Sequence, residues 1–357
     1  MNDLLKPSEK RATLQDIARL TGVSVATVSG AFSGNRRMSV HTREAVLSTA
    51  RDLGFELNPH AQRLRAGGCS NTIGLLSEND LGVATLTTSE LRFRLDERGF
   101  QVDDHLIPLY LQQVETRQTE LLRQMCRQNP RAILFSNVGL EPGAFDILKQ
   151  YMKGGGVLVY WALMRTDSTS QNLEADHVFI DTEEERYLQA RHLIDLGHRE
   201  IGYFSHGGEF ESGPHLNGFK RACAEAKIEV RPEWMWSNYG YEDAGIKHAE
   251  RFLALRERPT GVCIVNDNAA AAFVHRVMRS GLQVPRDISV IGCDDTAAAR
   301  GAFVPLTTMR RPIEELSHAV IQLLCDRLDG TLQGPPVTRE IKTQLIMRSS
   351  TAAPYMT

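Results

Sequence analysis

The sequence is poor in the features that metal centres, disulfide scaffolds and membrane proteins need. Its six cysteines in 357 residues are scattered with no Cys-x-x-Cys spacing, so neither a zinc site nor a disulfide framework is predicted. No uninterrupted apolar run of about 18 residues occurs, which argues against a membrane-spanning helix. Residues 1–11 are polar and charged and lack the apolar core of a secretory signal, so a cytoplasmic location is expected.

Motifs of common enzyme classes are also missing. The chain has no Gly-x-Ser-x-Gly elbow, no phosphate-binding glycine loop, no His-Glu-x-x-His and no G-x-G-x-x-G. The spacing of His215, Asp267 and Asp294 does not support a nucleophile. We therefore predict that the protein is not an enzyme and has no catalytic residue, no cofactor and no metal site.

Charge is unevenly distributed along the chain. The formal net charge is −3, yet residues 1–65 carry ten Lys or Arg against six Asp or Glu, a net of +4. The remaining residues therefore carry −7. A basic head on an acidic body directs one part of the protein toward phosphate and keeps the other away from it.

The segment 13–32 reads as two short helices joined by a tight turn. Thr13 and Asp16 resemble a capping box at the first helix. Gly22 suits a turn position with positive φ, and Ser24 is placed to cap the second helix. This is the pattern of a helix-turn-helix, whose second helix lies in the DNA major groove. A plain helical hairpin inside a core is the alternative.

Apolar residues at helical spacing predict which sides of these helices are buried. The predicted inward residues are Leu14, Ile17, Ala18, Val23, Val28, Ala31 and Phe32. A third helix is predicted over 40–53, capped by Ser39, and its predicted apolar side is Ala45, Val46, Ala50 and Leu53. Outward positions on the second helix are Val25, Ala26, Thr27, Ser29 and Gly30.

A short helix is predicted next, over 58–66. Asn58 is its N-cap, Pro59 fits the first helical position, and Gly67 and Gly68 end it. A helix this short is marginally stable alone because nucleation is costly. It is expected to form only when something orders it.

From residue 71 onward, strand-like and helical segments alternate. Predicted strands are 73–76, 102–106, 132–135, 157–160, 178–180, 201–204, 262–265 and 289–291. Predicted helices are 88–98, 116–128, 183–196, 216–226 and 244–255. This alternation predicts parallel sheets with helices on both faces.

The chain resembles the LacI/GalR family of bacterial transcription regulators over nearly its whole length, from Thr13 to Ser350. The resemblance is carried by residues 27–29, 42–43, 193–199, 266–267, 284–292, 294–295, 306–308 and 348–350. It implies a helix-turn-helix DNA-binding headpiece over 1–57 and a hinge helix and linker over 58–70. A two-lobed, periplasmic-binding-protein-like α/β effector domain follows over 71–350, with a tail over 351–357. The chain would cross between the lobes near 161–166, 293–297 and 328–333.

The resemblance implies a homodimer on a near-palindromic, double-stranded DNA operator. Base-reading residues would be Val25, Ala26, Thr27 and Ser29. Phosphates would be held by Thr13, Ser24, Arg37, Ser39 and Thr42. In the hinge helix, Asn58, Ala61 and Leu64 would meet the minor groove, with Leu64 wedged between base steps as a lever. A simple linker helix is the alternative for that segment.

A small-molecule effector, expected to be a carbohydrate or sugar derivative, would lie between the lobes. The residues implied are Ser77, Ser136, His215, Tyr239, Asn266 and Asp294. For Asp294 and Asp295, turn or helix capping is the alternative. His215 stands where many relatives carry an Arg, and residues 181–186 replace the Asp-Asn with a nearby Gly or Ala that relatives often have.

These departures leave the effector unassigned, together with whether it releases or tightens DNA binding. A two-lobed solute-binding protein without a regulatory DNA role is the competing interpretation. It would need a signal peptide and would have no use for residues 13–66.

Overall fold

The computed structural model describes residues 14–25, 27, 28, 31, 38–53, 71–79, 83–108, 114–136, 142–163, 173, 175–206, 214–238 and 242–355. The chain divides into two compact units, Met1–Ser70 and Asn71–Thr357. Each unit has its own buried core.

The first unit is helical. It contains α1 (Leu14–Thr21) and α2 (Val40–Asp52), and residues 25, 27, 28 and 31 between them are also helical. Its core consists of Ile17, Ala18, Val28, Ala31, Val46 and Ala50, with Val23 and Met38 packed against it. The inward assignment is thus confirmed for Ile17, Ala18, Val23, Val28 and Ala31. Leu14 and Phe32 have side chains outside the described part.

Two positions assigned to the apolar side of α2 are wrong. Ala45 is exposed, and Leu53 is 37% exposed. Leu53 is the C-cap residue, past the last helical residue, so the small core does not reach it. Among the α2 side chains that the structure describes, Val46 and Ala50, one turn apart, form the buried stripe.

The second unit is built from alternating strands and helices. Its strands are β1 (Thr72–Asn79), β2 (Gln101–Pro108), β3 (Ala132–Ser136), β4 (Val157–Ala162), β5 (Asp176–Ile180), β6 (Ile201–His206), β7 (Met235–Asn238), β8 (Gly261–Ile264), β9 (Ser289–Asp294), β10 (Thr307–Arg310), β11 (Thr338–Ile341) and β12 (Gln344–Ile346). Its helices are α3 (Val83–Glu97), α4 (Val114–Arg127), α5 (Pro142–Lys153), α6 (Thr182–Asp195), α7 (Pro214–Glu225), α8 (Glu242–Ala254), α9 (Asp267–Arg279), α10 (Ala297–Gly301) and α11 (Ile313–Leu328). All eight predicted strands are present.

The strands form two six-stranded sheets. The first, which we call sheet A, has the order β11-β5-β4-β3-β1-β2 and is parallel throughout. Sheet B has the order β12-β10-β9-β8-β6-β7 and is parallel except for the β10–β12 pair. The predicted two-lobed α/β architecture with mainly parallel sheets is confirmed.

Helices cover both faces of each sheet. On sheet A, α3 and α11 pack on one face and α4 and α5 on the other. On sheet B, α8 and α9 cover one face and α6 and α7 the other. Buried on both sides, the strands consist largely of continuous apolar runs, as parallel sheets require. Among the helices of the described segments, none has the length and apolar character needed to cross a bilayer.

The predicted crossings between the lobes are wrong. The chain leaves sheet A between β5 and α6 and returns between β10 and α11, which packs on sheet A. It leaves again between β11 and β12. Each crossing lies one element later than predicted, because β5 pairs with β4, α11 packs on sheet A, and β11 pairs with β5. The β11–β5 pairing and the packing of α11 on sheet A join residues far apart in sequence and have no local signal.

Candidate DNA interface and effector site

The turn of the candidate DNA-binding segment is built as predicted. Gly22 has φ +70°, a conformation that favours glycine. The backbone N–H of Thr27 donates to the hydroxyl of Ser24 at 3.1 Å, so Ser24 is the predicted N-cap. The Ser24 and Thr27 hydroxyls are also 2.8 Å apart. This arrangement fixes the backbone at the beginning of the second helical segment.

The same capping geometry occurs at α2. The N–H of Thr42 donates to the hydroxyl of Ser39 at 3.0 Å, and the two hydroxyls are 2.7 Å apart. Both helices thus begin with exposed Ser and Thr hydroxyls beside free backbone N–H groups. Such a helix N-terminus is suited to a phosphate group.

Val25 presents an apolar side chain to solvent at the beginning of the second helical segment. It is 40% exposed, whereas Val28 on the same segment is fully buried. An exposed methyl-bearing side chain on such a segment can contact a thymine methyl group in the major groove. The other predicted DNA-binding residues lie outside the described residues: Thr13, Ala26, Ser29, Arg37, Asn58, Ala61 and Leu64.

Two of the predicted effector residues meet at the carboxyl edge of sheet A. Ser77 and Ser136 directly follow Leu76 and Phe135, which are paired across β1 and β3. Both serines are buried. The hydroxyl of Ser77 has no hydrogen-bond partner among the described residues. It is therefore a buried polar group open to a ligand.

Two more of the predicted effector residues, Asn266 and Asp294, lie together at the carboxyl edge of sheet B. Asn266 and Asp294 each lie three residues beyond the paired Cys263 and Ile291 of β8 and β9. Asn266 caps α9, since its Oδ1 accepts from the N–H of Ala269 at 2.8 Å. Its Nδ2 is buried and finds no acceptor in the described structure.

Asp294 has unusual backbone and side-chain surroundings. Its φ is +108°, which an L residue adopts only under strain, and such strain tends to occur at functional sites. Its Oδ1 forms no hydrogen bond with the described residues. Burial raises the pKa of Asp294 to about 8, against the lowering influence of Arg311.

The remaining two predicted effector residues are not placed in the site. His215 is the second residue of α7, and its side chain is not among those described. Tyr239 lies outside the described residues. For both, the assignment stays a prediction.

An ion-pair network beneath Asp294 was missed by sequence reasoning. Arg311 donates from Nε to Oε1 of Glu185 at 3.0 Å and from Nη2 to Oε2 at 2.7 Å. Its Nη1 lies 3.4 Å from Oδ1 of Asp294. Arg186 lies 3.4 Å from Glu185 and donates to the carbonyl of Val265 at 3.2 Å. The side chains of Glu185 and Arg186 are almost fully buried.

The network joins two crossings between the lobes. Glu185 lies in the first turn of α6, just after the first crossing, and Arg311 lies between β10 and α11 at the second. Burial alone would raise the pKa of Glu185, but Arg311 and Arg186 outweigh burial and lower it. The sequence signal is the charged stretch 181–186, which stands where relatives often have Asp-Asn followed shortly by Gly or Ala.

The neighbouring carboxylates have structural partners. The Asp295 carboxylate accepts from Arg310 Nε at 2.7 Å and from Arg348, so it forms ion pairs, and the N-cap of α10 is Thr296. Asp267 accepts from the hydroxyl of Thr308 at 2.7 Å. Burial raises the pKa of Asp267 to about 6. Over the ranges that the structure describes, no cluster of His, Cys, Asp and Glu could hold a metal ion.

Comparisons with known proteins agree with this architecture. Residues 13–58 match the family described as bacterial regulatory proteins, lacI family, and residues 190–351 match a periplasmic binding protein-like domain. The HTH-type transcriptional repressor PurR of Vibrio parahaemolyticus is 28% identical over 342 residues, which cover 95% of this chain and 98% of PurR.

Solved structures show the same fold. The lac repressor dimer bound to operator and the anti-inducer ONPF has a TM-score of 0.70 at 22% identity, covering 96% of this chain and all of that one. The CelR–cellobiose complex has a TM-score of 0.66 at 24% identity, with 95% and 100% covered. The chain is accordingly similar over nearly its whole length to HTH-type transcriptional repressors, and it carries a lacI-family regulatory domain followed by a periplasmic binding protein-like domain.

Proposed function

We propose that this chain is a transcriptional repressor that binds a near-palindromic operator as a homodimer and is controlled by a small molecule bound between its lobes. The observation that carries the proposal is the exposed beginning of the second helical segment. There Ser24 caps the segment by accepting from the N–H of Thr27, and Val25 is exposed to solvent, where it can contact a base edge. In a two-fold dimer each headpiece reads one half-site, which accounts for a palindromic operator.

The hinge segment supplies the coupling between effector and DNA in this proposal. Its residues 58–66 lie outside the described ones, and their role is inferred from the Asn-Pro beginning and the Gly pair at the end. Leu64 wedges into the minor groove and orders the segment upon DNA contact. A marginally stable helix is sensitive to a coupling of a few kcal/mol.

An apolar surface of the second unit supports a dimer. Phe303 is 89% exposed, more than any other large apolar side chain of the described residues. It borders a hollow of about 410 Å³ whose lining residues are Ala271, Val274, His275, Met278, Arg279, Ala302 and Phe303. We assign a second copy of the chain to this surface. An exposed aromatic beside an apolar hollow is a self-complementary pair in a two-fold interface.

The effector is proposed to occupy the carboxyl edges of the sheets, where Ser77, Asn266 and Asp294 each hold a buried polar atom that forms no hydrogen bond with the described residues. Ligands of parallel α/β sheets bind at this edge. A carbohydrate or sugar derivative is the expected class, and the related CelR was solved with cellobiose.

The test is selection of bound fragments from random double-stranded DNA by the full-length protein at moderate salt. Enrichment of a two-fold symmetric sequence is expected. The variant Leu64→Ala should lose most of its specific affinity for that sequence while the effector domain stays folded. Failure to enrich any symmetric sequence would contradict the operator proposal. Unchanged binding by Leu64→Ala would contradict only the lever role.

A further inference from the structure

Arg311 has one nitrogen that its buried partner does not use. Glu185 takes Nε and Nη2 in a two-point contact, which fixes the plane of the guanidinium. The third nitrogen, Nη1, points toward Asp294 at 3.4 Å. The side chains of Arg311 and Asp294 are each 10% exposed, whereas those of Glu185 and Arg186 are almost fully buried, so this end of the network is the less buried one.

Positive charge exceeds negative charge around Arg311 when Asp294 carries a proton. Two guanidinium groups, those of Arg311 and Arg186, share the single carboxylate of Glu185. Asp294 is the nearest further carboxyl group, and burial holds its pKa at about 8. At neutral pH one cationic charge is therefore without a full counter-charge, which is costly in a buried site.

Hydrogen-bond donors converge on the same edge. The Nδ2 of Asn266 is buried without an acceptor among the described residues. Nη1 of Arg311 and a protonated Asp294 are further donors facing that edge. These three hydrogen-bond donors lie beside a guanidinium group without a full counter-charge. They are suited to an anionic group, whose oxygen atoms accept hydrogen bonds.

We propose that Arg311 makes the effector site selective for a ligand with an anionic group, a carboxylate or a phosphate, seated against Arg311, Asn266 and Asp294. The proposal rests on the proposed function, which places the effector at this edge. It adds that Arg311 determines specificity. A neutral sugar would need Asp294 as an ionised acceptor, and Arg311 competes for that carboxylate.

The experiment uses matched ligands with the full-length protein. D-glucose, D-gluconate, D-glucuronate and D-glucose 6-phosphate are titrated by calorimetry at pH 6.5, together with D-galactose and D-galacturonate. At least one anionic ligand should bind about 10- to 100-fold more tightly than its neutral counterpart, since a hydrogen bond to a charged group contributes about 1.5–3 kcal/mol. Comparison of the carboxylate ligands with D-glucose 6-phosphate shows which of the two anionic groups the site binds more tightly.

Variants of Arg311 test whether this residue causes the preference for anionic ligands. Arg311→Gln should remove it, and Arg311→Lys should keep part of it because the charge remains. Arg311→Gln leaves Glu185 with Arg186 as its counter-charge, so the buried network keeps one ion pair, and a thermal melt checks that this variant is folded. Arg310→Gln is the matched control: Arg310 is the preceding cation, is bound to Asp295 and is 46% exposed. It should retain the preference.

The pH dependence has a definite sign. Four charged groups face Asp294. Arg311 does so from the second crossing, Glu185 and Arg186 from α6, and Asp267 from α9. When Asp294 loses its proton above about pH 8, it repels an anion, so anionic affinity should fall between pH 6.5 and 9. A neutral polyol that donates to Asp294 should instead bind more tightly.

Three results would overturn the proposal. These are neutral sugars binding as tightly as their anionic partners, the anion preference surviving in folded Arg311→Gln, and no ligand of the panel binding at all. None of them affects the operator selection, so a failure here is distinguishable from a failure of the proposed DNA-binding function.

Discussion

Arg327 contacts both carboxylate oxygens of Asp176 at 2.7 and 2.8 Å. Asp176 begins β5 and Arg327 lies in the last turn of α11, 151 residues later in the chain. The N–H of Val337 also donates to Asp176 at 2.8 Å, and Arg327 donates to the carbonyl of Pro335. This pair therefore holds the segment that places β11 on the edge of sheet A.

Removal of Asp176 should destabilise the effector domain strongly. The side chains of Asp176 and Arg327 are only 5% and 14% exposed, so Asp176→Ala leaves a largely buried guanidinium unpaired. The free energy of unfolding, measured in urea, should fall by about 3–5 kcal/mol. The control is Glu257→Ala in the exposed pair Arg231–Glu257, which should cost less than about 1 kcal/mol. Equal losses in both variants would refute the structural role of the buried pair.

Val25→Ala should weaken specific operator binding without changing stability. Val25 is 40% exposed, so its methyl groups contribute little to the core. The loss of apolar contact with a base should cost about 1–2 kcal/mol per half-site, or about 5- to 30-fold. Fluorescence anisotropy on the selected operator measures this, with random DNA for comparison. Leu20→Ala, at an exposed position of α1, is the control and should bind normally.

Local rules predicted the headpiece well. The caps at Ser24 and Ser39 and the positive φ of Gly22 each depend on a few neighbouring residues, and all three are present in the structure. The alternating apolar runs likewise located eight strands. Leu53 was misplaced because helical spacing does not show where a small core ends.

Long-range features could not be predicted in this way. Glu185 and Arg311 are 126 residues apart in the chain, and the sequence around either residue does not indicate its partner. The crossings between the lobes were wrong for the same reason, since they depend on β11 joining β5 and α11 packing on sheet A. The shared location of Asn266 and Asp294 was predictable, because the carboxyl ends of neighbouring parallel strands lie together, whereas their role as effector ligands stays a prediction.

Phe303→Asp should convert the protein from dimer to monomer. A carboxylate in the proposed apolar interface would be buried without a partner in both copies. Analytical ultracentrifugation at micromolar concentration should show the monomer, and operator affinity should fall because two headpieces no longer bind together. Leu188→Asp, on an exposed face of α6, is the matched control and should remain dimeric. A dimeric Phe303→Asp protein would exclude this surface as the interface.

Asp294 should make the protein less stable as the pH rises. Its pKa is 3.8 in an unfolded chain and about 8 in the folded protein, because burial disfavours the charged form. The folded state therefore holds a proton that the unfolded state has released. The resulting stabilisation is complete below pH 3.8, decreases as the pH rises, and is lost as the pH passes through about 8.

The melting temperature by calorimetry should thus decline between pH 6.5 and 9 in the wild-type protein. In Asp294→Asn, which keeps the shape but cannot ionise, most of this decline should disappear. Asp267, whose pKa is raised to about 6, acts mainly below this range. Asp243→Asn, at an exposed position of α8, should show the wild-type decline. If Asp294→Asn and the wild type decline in parallel, the carboxyl group is already ionised at neutral pH, and an anion could not be held beside it.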